Sequence, residues 1–172
     1  MSVKTSISNC MIIRLFCVLT LLFSCIVSAA DLGKEVIGRM QVQVYFATNG
    51  EASVAGQALK KPDPEIEKKL KNLRETSYKH YRVLGMDRQP VFRSYENWLT
   101  PLKPSEELLL SFEPRGNAQS GKMMLDLELW QSRKKIMKAG PTLEKGKPLY
   151  IFGPKWRGGR LLLAIELVEL LQ

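Results

Sequence analysis

The sequence predicts a mainly β (α+β) domain: an antiparallel sheet or β-sandwich-like fold with one early helix packed on it. Three observations predict it. Apolar and polar residues alternate with period two in several short runs, most regularly in Met40–Ala47 and Met123–Trp130. Glycine, proline and asparagine punctuate the intervals between those runs. Only Asp63–Arg74 combines a helical period with helix end signals. The result is about seven or eight strands at regular spacing, the pattern of an antiparallel all-β core with a helix over one face or open end.

Residues 1–30 read as a secretory signal peptide. Lys4 and Arg14 supply the positive start, and Leu15–Val27 is an uncharged apolar run too short to span a bilayer. Ser28, Ala29 and Ala30 give the small residues of a cleavage site. Two other readings exist: an uncleaved N-terminal anchor, and a lipoprotein signal with a lipid on Cys25. For the second, Leu22, Ser24 and Cys25 stand in suitable places, but Phe23 is bulky. The expected division is therefore residues 1–30 as signal peptide and 31–172 as a single β-rich globular domain, periplasmic or secreted, with no transmembrane helix.

All three cysteines (Cys10, Cys17, Cys25) fall in the leader, so the remaining chain has neither disulfide nor thiol chemistry. A domain of that length buries a core without staples. Without Lys4 and Arg14 it keeps 24 basic residues against 17 acidic ones, a net charge of +7. An exported basic protein can meet anionic envelope polymers, acidic headgroups or acidic proteins, although dispersed positive charge also serves solubility alone.

Met40–Ala47 reads as a half-buried strand, with Val42, Val44 and Phe46 on one face and Gln41, Gln43 and Tyr45 on the other. Thr48–Lys61, with Asn49-Gly50 and Gly56, reads as turn and loop. Asp63 then stands at the N-cap of the helix and Pro64 at its first position. Ile66, Leu70 and Leu73 form its apolar stripe, while Glu65/Lys69 and Glu67/Lys71 are spaced as ion pairs. Such a short helix needs to dock on a sheet to persist.

Thr76–Leu84 predicts a strand, Gly85-Met86-Asp87 a turn, and Gln89–Tyr95 a returning strand. Trp98–Pro104 is irregular, since Pro101 and Pro104 forbid a central strand. Leu108–Phe112 is a short strand and Glu113–Lys122 a loop. Met123–Trp130 places Met123, Leu125, Leu127 and Leu129 inward. A turn at Gln131–Arg133 brings Lys135–Lys138 back beside it. Pro148–Phe152 is another strand, and Gly158-Gly159 allows a reversal into Leu161–Val168. That last run has helix-compatible composition. Its alternation and its glycine turn favour a strand.

The candidate chemistries are few. Gly116 through Lys122 matches the G-x-x-x-x-G-K part of a phosphate-binding loop, but Met123 replaces the hydroxyl residue and a strand follows, not a helix. His80 is the single histidine, with no cysteine partners for a metal and no G-x-S-x-G elbow for a triad. Glu106-Glu107 and Asp126/Glu128 lack the buried carboxyl of a glycosidase and the Asp/Asn-rich loop of a calcium site. No catalytic residue, metal or cofactor is therefore expected.

The surface feature that stands out is Lys155-Trp156-Arg157-Gly158-Gly159-Arg160. A tryptophan among cations at a hairpin tip suits stacking and carboxylate or phosphate recognition. The plainer alternative is that Trp156 folds back on the core and the cations are merely solvated. Arg133-Lys134-Lys135 is a second basic turn, read as solvated.

Thr76-Ser77-Tyr78 after the helix, Gly146–Pro154, Gly158-Gly159 and Leu161–Ile165 resemble small exported bacterial proteins with no assigned activity. That resemblance spans most of the mature chain. It implies an envelope or secreted β-rich domain and supplies no catalytic residues. The resulting expectation is a non-enzymatic exported domain that binds another envelope protein through Lys155, Trp156, Arg157 and Arg160, or through sheet edges by strand addition. The alternatives are a module for anionic glycan or lipid surfaces, and a hydrolase with an unrecognised site. Nucleic acid is not an expected partner.

Overall fold

The computed structural model describes residues 32–73, 77–93, 97–98, 107–116 and 120–171. The expected signal peptide, with Cys25, lies outside the described residues. So do residues 99–104, read above as irregular, and 117–119 of the glycine loop.

Among the described residues, nine strands and one α-helix follow the turn Leu32–Lys34: β1 (Val36–Thr48), α1 (Pro64–Lys71), β2 (His80–Phe92), β3 (Asn97–Trp98), β4 (Leu108–Pro114), β5 (Lys122–Gln131), β6 (Lys134–Ala139), β7 (Thr142–Glu144), β8 (Leu149–Trp156) and β9 (Gly159–Leu170). The chain is mainly β, as its alternation predicts. The first sheet has the order β2-β1-β9-β8 and the second β3-β4-β5-β6, with β7 also on β5. Every pairing is antiparallel.

One core joins the two sheets. Met40, Val42 and Val44 of β1 and Leu161, Leu163, Ile165 and Leu167 of β9 share it with Leu108, Leu110 and Phe112 of β4 and alternate residues of β5. Period two is what sends these side chains to one face, and burying each large aliphatic contributes about 1.5–3 kcal/mol. The outer face of the first sheet holds a second cluster. There Leu70 of α1 is completely buried with Tyr45, Ala47, Tyr81 and Leu162, and Ile66 and Leu73 flank it. The helical stripe read from the sequence is the docking face.

Asp63 occupies the N-cap of α1 through its backbone, its carbonyl accepting from the Glu67 amide at 2.8 Å, and its side chain makes no cap bond. Glu67 and Lys71 pair at 2.7 Å, which holds the Glu67 carboxyl below its ordinary range.

The expected turn at Gly85-Met86-Asp87 and the returning strand Gln89–Tyr95 are corrected by the structure. His80–Phe92 is one continuous strand against the equally long β1. Val44 faces Gly85 and Tyr45 faces Val83, so Leu84 is an extra residue in a bulge. A bulge lets a strand change phase without reversing. Pro90 is accommodated because β2 is an edge strand, where the missing N–H breaks no ladder. Leu161–Val168 is strand, as expected, inside the longer β9.

Candidate functional site

The β8–β9 hairpin is closed by two residues. Arg157 and Gly158 have φ of 45° and 74°, and Trp156 pairs with Gly159. Positive φ at both central positions gives the primed turn whose twist matches the flanking strands. The reversal is thus Arg157-Gly158, one residue earlier than the Gly158-Gly159 expected. Gly159 instead meets β1 closely: a Cβ there would stand 2.6 Å from the Phe46 ring.

Alternation sorts the tip residues onto two faces. Trp156 is half-buried against the core and meets Phe46 edge-to-face, with centroids 5.4 Å apart at 81°. The Arg157 guanidinium lies 4.5 Å from the centre of the Trp156 ring and donates from Nη1 to the Val54 carbonyl at 3.0 Å. Trp156 therefore caps the core, and Arg157 clamps it to the turn Ala52–Ala55.

Lys155 and Arg160 are the other pair. They face each other directly across the two strands. Lys155 is exposed and Arg160 half-buried, and the Arg160 Nε is buried with no hydrogen-bond partner among the described residues. None of Lys155, Arg157 and Arg160 forms an ion pair among the described residues. Together with Tyr78 they line a basin of about 460 Å³ with no acidic residue in its wall among the described residues. All four residues singled out in the sequence thus meet at one place, on two faces of one hairpin.

The other sequence candidates disperse. His80 is exposed at the start of β2, opposite Thr48. Asp126 is paired with Arg115, and Glu128 with Lys135 at 2.6 Å and Lys138 at 3.2 Å. These cations hold the Glu128 carboxyl below its usual range, Lys135 first. Gly116 and Gly121 take positive φ, and Lys122 opens a strand, so a strand and not a helix N-terminus follows the second glycine. Among the described residues, no three or more His, Cys, Asp or Glu side chains are grouped to hold a metal ion, and no helix is long and apolar enough to cross a membrane.

One cleft was not singled out from the sequence. It lies beside α1 on the outer face of the first sheet, with a volume of about 250 Å³, and its wall includes Gln41, Gln43, Tyr150 and Glu166. The alternation of β1 already placed Gln41 and Gln43 on one face. What was missing was the register that sets Gln41 opposite Glu166.

No protein-family model matches the chain, and neither a curated protein nor a solved structure matches it.

Proposed function

We propose that this chain is an exported, non-enzymatic binding domain that receives an acidic segment of another envelope protein at the β8–β9 tip. One observation carries the reading: Lys155 and Arg160 stand directly opposite each other, and among the described residues no acid pairs with either. Like charges in that position destabilise a sheet. A buried donor left unpaired, such as the Arg160 Nε, costs about 1–3 kcal/mol more. A partner's carboxylate in the basin offsets the repulsion between the two cations, and the planar guanidinium suits it.

The edges of the sheets favour the tip over strand addition. β2 carries Pro90, β8 carries Pro154, β3 is two residues long, and β6 presents Lys134, Lys135 and Lys138. Prolines, short strands and lysines are devices that discourage a further strand.

The test is affinity capture from detergent-solubilised native envelopes with the parent chain, Lys155→Glu and Arg157→Gly, each washed at low and high salt. Lys155→Glu touches no Trp156 contact, and Arg157→Gly removes the guanidinium but not the Phe46 contact. The expected result is an acidic protein held by the parent through the high-salt wash and lost from Lys155→Glu. Equal retention by all three chains overturns the site. Recovery of glycan or lipid alone, at low salt only, overturns the protein partner and turns the reading to an anionic-polymer module.

A further inference from the structure

We propose that the cleft between α1 and the outer face of the first sheet binds a neutral sugar ring. It is separate from the hairpin basin and stands or falls independently of it. Its floor is Ala164, whose small side chain leaves a depression between Gln43 and Tyr150, its neighbours across the two ladders. The half-buried Tyr150 ring gives a flat apolar flank. Ile66 and Lys69 of α1 close the other side. At about 250 Å³ the space is below the roughly 300–1,000 Å³ of drug-sized pockets, and so suits one small ring.

The polar groups choose the ligand's chemistry. Among the described residues, Glu166 and Lys69 are the only charged side chains in the wall, their charges cancel, and neither forms an ion pair. Burial, with Glu166 nearby, pushes the Tyr150 phenol up, and burial does the same to Tyr45, so both stay neutral. With Lys69 and Glu166 offsetting each other in its wall, the cleft favours a neutral ligand. The Tyr45 hydroxyl donates to Gln43 Oε1 at 2.8 Å, which fixes the carboxamide and leaves its amino group to donate. Glu166, a diagonal cross-strand neighbour of Gln43, only accepts. A fixed donor beside a fixed acceptor fits two adjacent hydroxyls, one accepting and one donating. A sugar ring presents such a pair on a rigid frame whose C–H face can lie on Tyr150. The held carboxamide lowers the ordering cost of that contact.

The test is a heteronuclear NMR titration of the purified chain with D-glucose, D-galactose, D-mannose and N-acetyl-D-glucosamine, and with maltotriose and chitotriose. D-sorbitol and sodium glutamate serve as an acyclic and a charged comparison. The expected result is saturable shifts at Gln41, Gln43, Tyr150 and Glu166 with at least one ring sugar, with Kd of about 1–10 mM. Gln43→Ala and Glu166→Gln each weaken it about tenfold, the loss of one well-made hydrogen bond, while Lys155→Glu leaves it unchanged. Tighter binding of the matching trisaccharide identifies a glycan chain as the source, and equal binding a free monosaccharide. Absence of saturable shifts with every sugar overturns the proposal. So does equal or stronger binding of sorbitol or glutamate, or sugar binding that survives both cleft variants in chains that remain folded by circular dichroism.

Discussion

Gly159 and Ala47 touch through their backbones: a Cβ built on Gly159 would lie 2.3 Å from the Ala47 carbonyl oxygen. The neighbouring glycine differs. Gly158 takes φ of 74° and has open space where a Cβ would go. Two adjacent glycines thus serve for unrelated reasons, and substitution separates them. Gly159→Ala forces β9 off β1 and is expected to cost about 2–3 kcal/mol, the scale of overpacking a tight contact. Gly158→Ala meets only the left-handed backbone penalty, about 1 kcal/mol. Urea denaturation midpoints at matched slopes measure both, and equal costs would contradict the close approach.

The β5–β6 turn is closed by Ser132 and Arg133, with φ of 47° and 67°. Neither is a residue that favours this conformation, and among the described residues neither side chain makes a contact like that of Arg157 with Trp156 and Val54. Ser132→Asn with Arg133→Gly supplies the preferred pair for a primed turn and is expected to stabilise the chain by about 1 kcal/mol. Arg157→Gly relieves the same backbone penalty but loses the Val54 bond and the Trp156 contact, so its net change is expected near zero. Thermal melting of the variants side by side checks the contrast.

Leu70 is fully buried between α1 and the first sheet. An eight-residue helix does not hold alone in water, so its docking stripe supplies its stability. Leu70→Ala is expected to cost about 3 kcal/mol. It should also speed amide hydrogen exchange in α1 well before that of β5. Uniform exchange across both elements would show that the helix is not a separately opening unit.

β5 was legible because one face packs on the core and so writes period two into the sequence. β1 and β9 bury both faces, with Tyr45, Ala47, Leu162 and Ala164 lying in the outer cluster. They were legible through the inward set Val42, Val44, Leu161, Leu163, Ile165 and Leu167 and the glycine turn. The helix was legible from Asp63, Pro64 and the Ile66/Leu70/Leu73 stripe. β2 was not, because the bulge at Leu84 shifts its phase and places Gly85-Met86-Asp87 where a turn would also be written. At the hairpin, Gly158-Gly159 signalled a reversal but not which glycine makes it. The sequence singled out Lys155, Trp156, Arg157 and Arg160 together. Their division into a core-capping Trp156 and an outward Lys155/Arg160 pair follows from strand phase at the tip. The α1 cleft depends on Gln41 meeting Glu166, a register between strands far apart in the chain that no local pattern encodes.

Burial of Tyr45, Tyr81 and Tyr150 makes stability fall at alkaline pH. Burial raises the phenols of Tyr45, Tyr81 and Tyr150 above the ordinary value of 10.0, Tyr45 most strongly. The folded chain therefore holds these protons after the unfolded chain has begun to lose them. Their contribution is complete below pH 10 and declines as the pH rises above it toward the folded values. Unfolding free energy is thus expected to be level on approach to pH 10 and to fall beyond it, with phenolate absorbance appearing together with unfolding. Tyr45→Phe lacks the most strongly shifted proton, so its stability should fall less steeply over the alkaline range, although it starts lower through loss of the bond to Gln43. Denaturation curves at about pH 8 and about pH 11 decide it, well below and above the ordinary phenol value. Parallel alkaline losses in parent and variant would show that Tyr45 titrates as an ordinary exposed phenol.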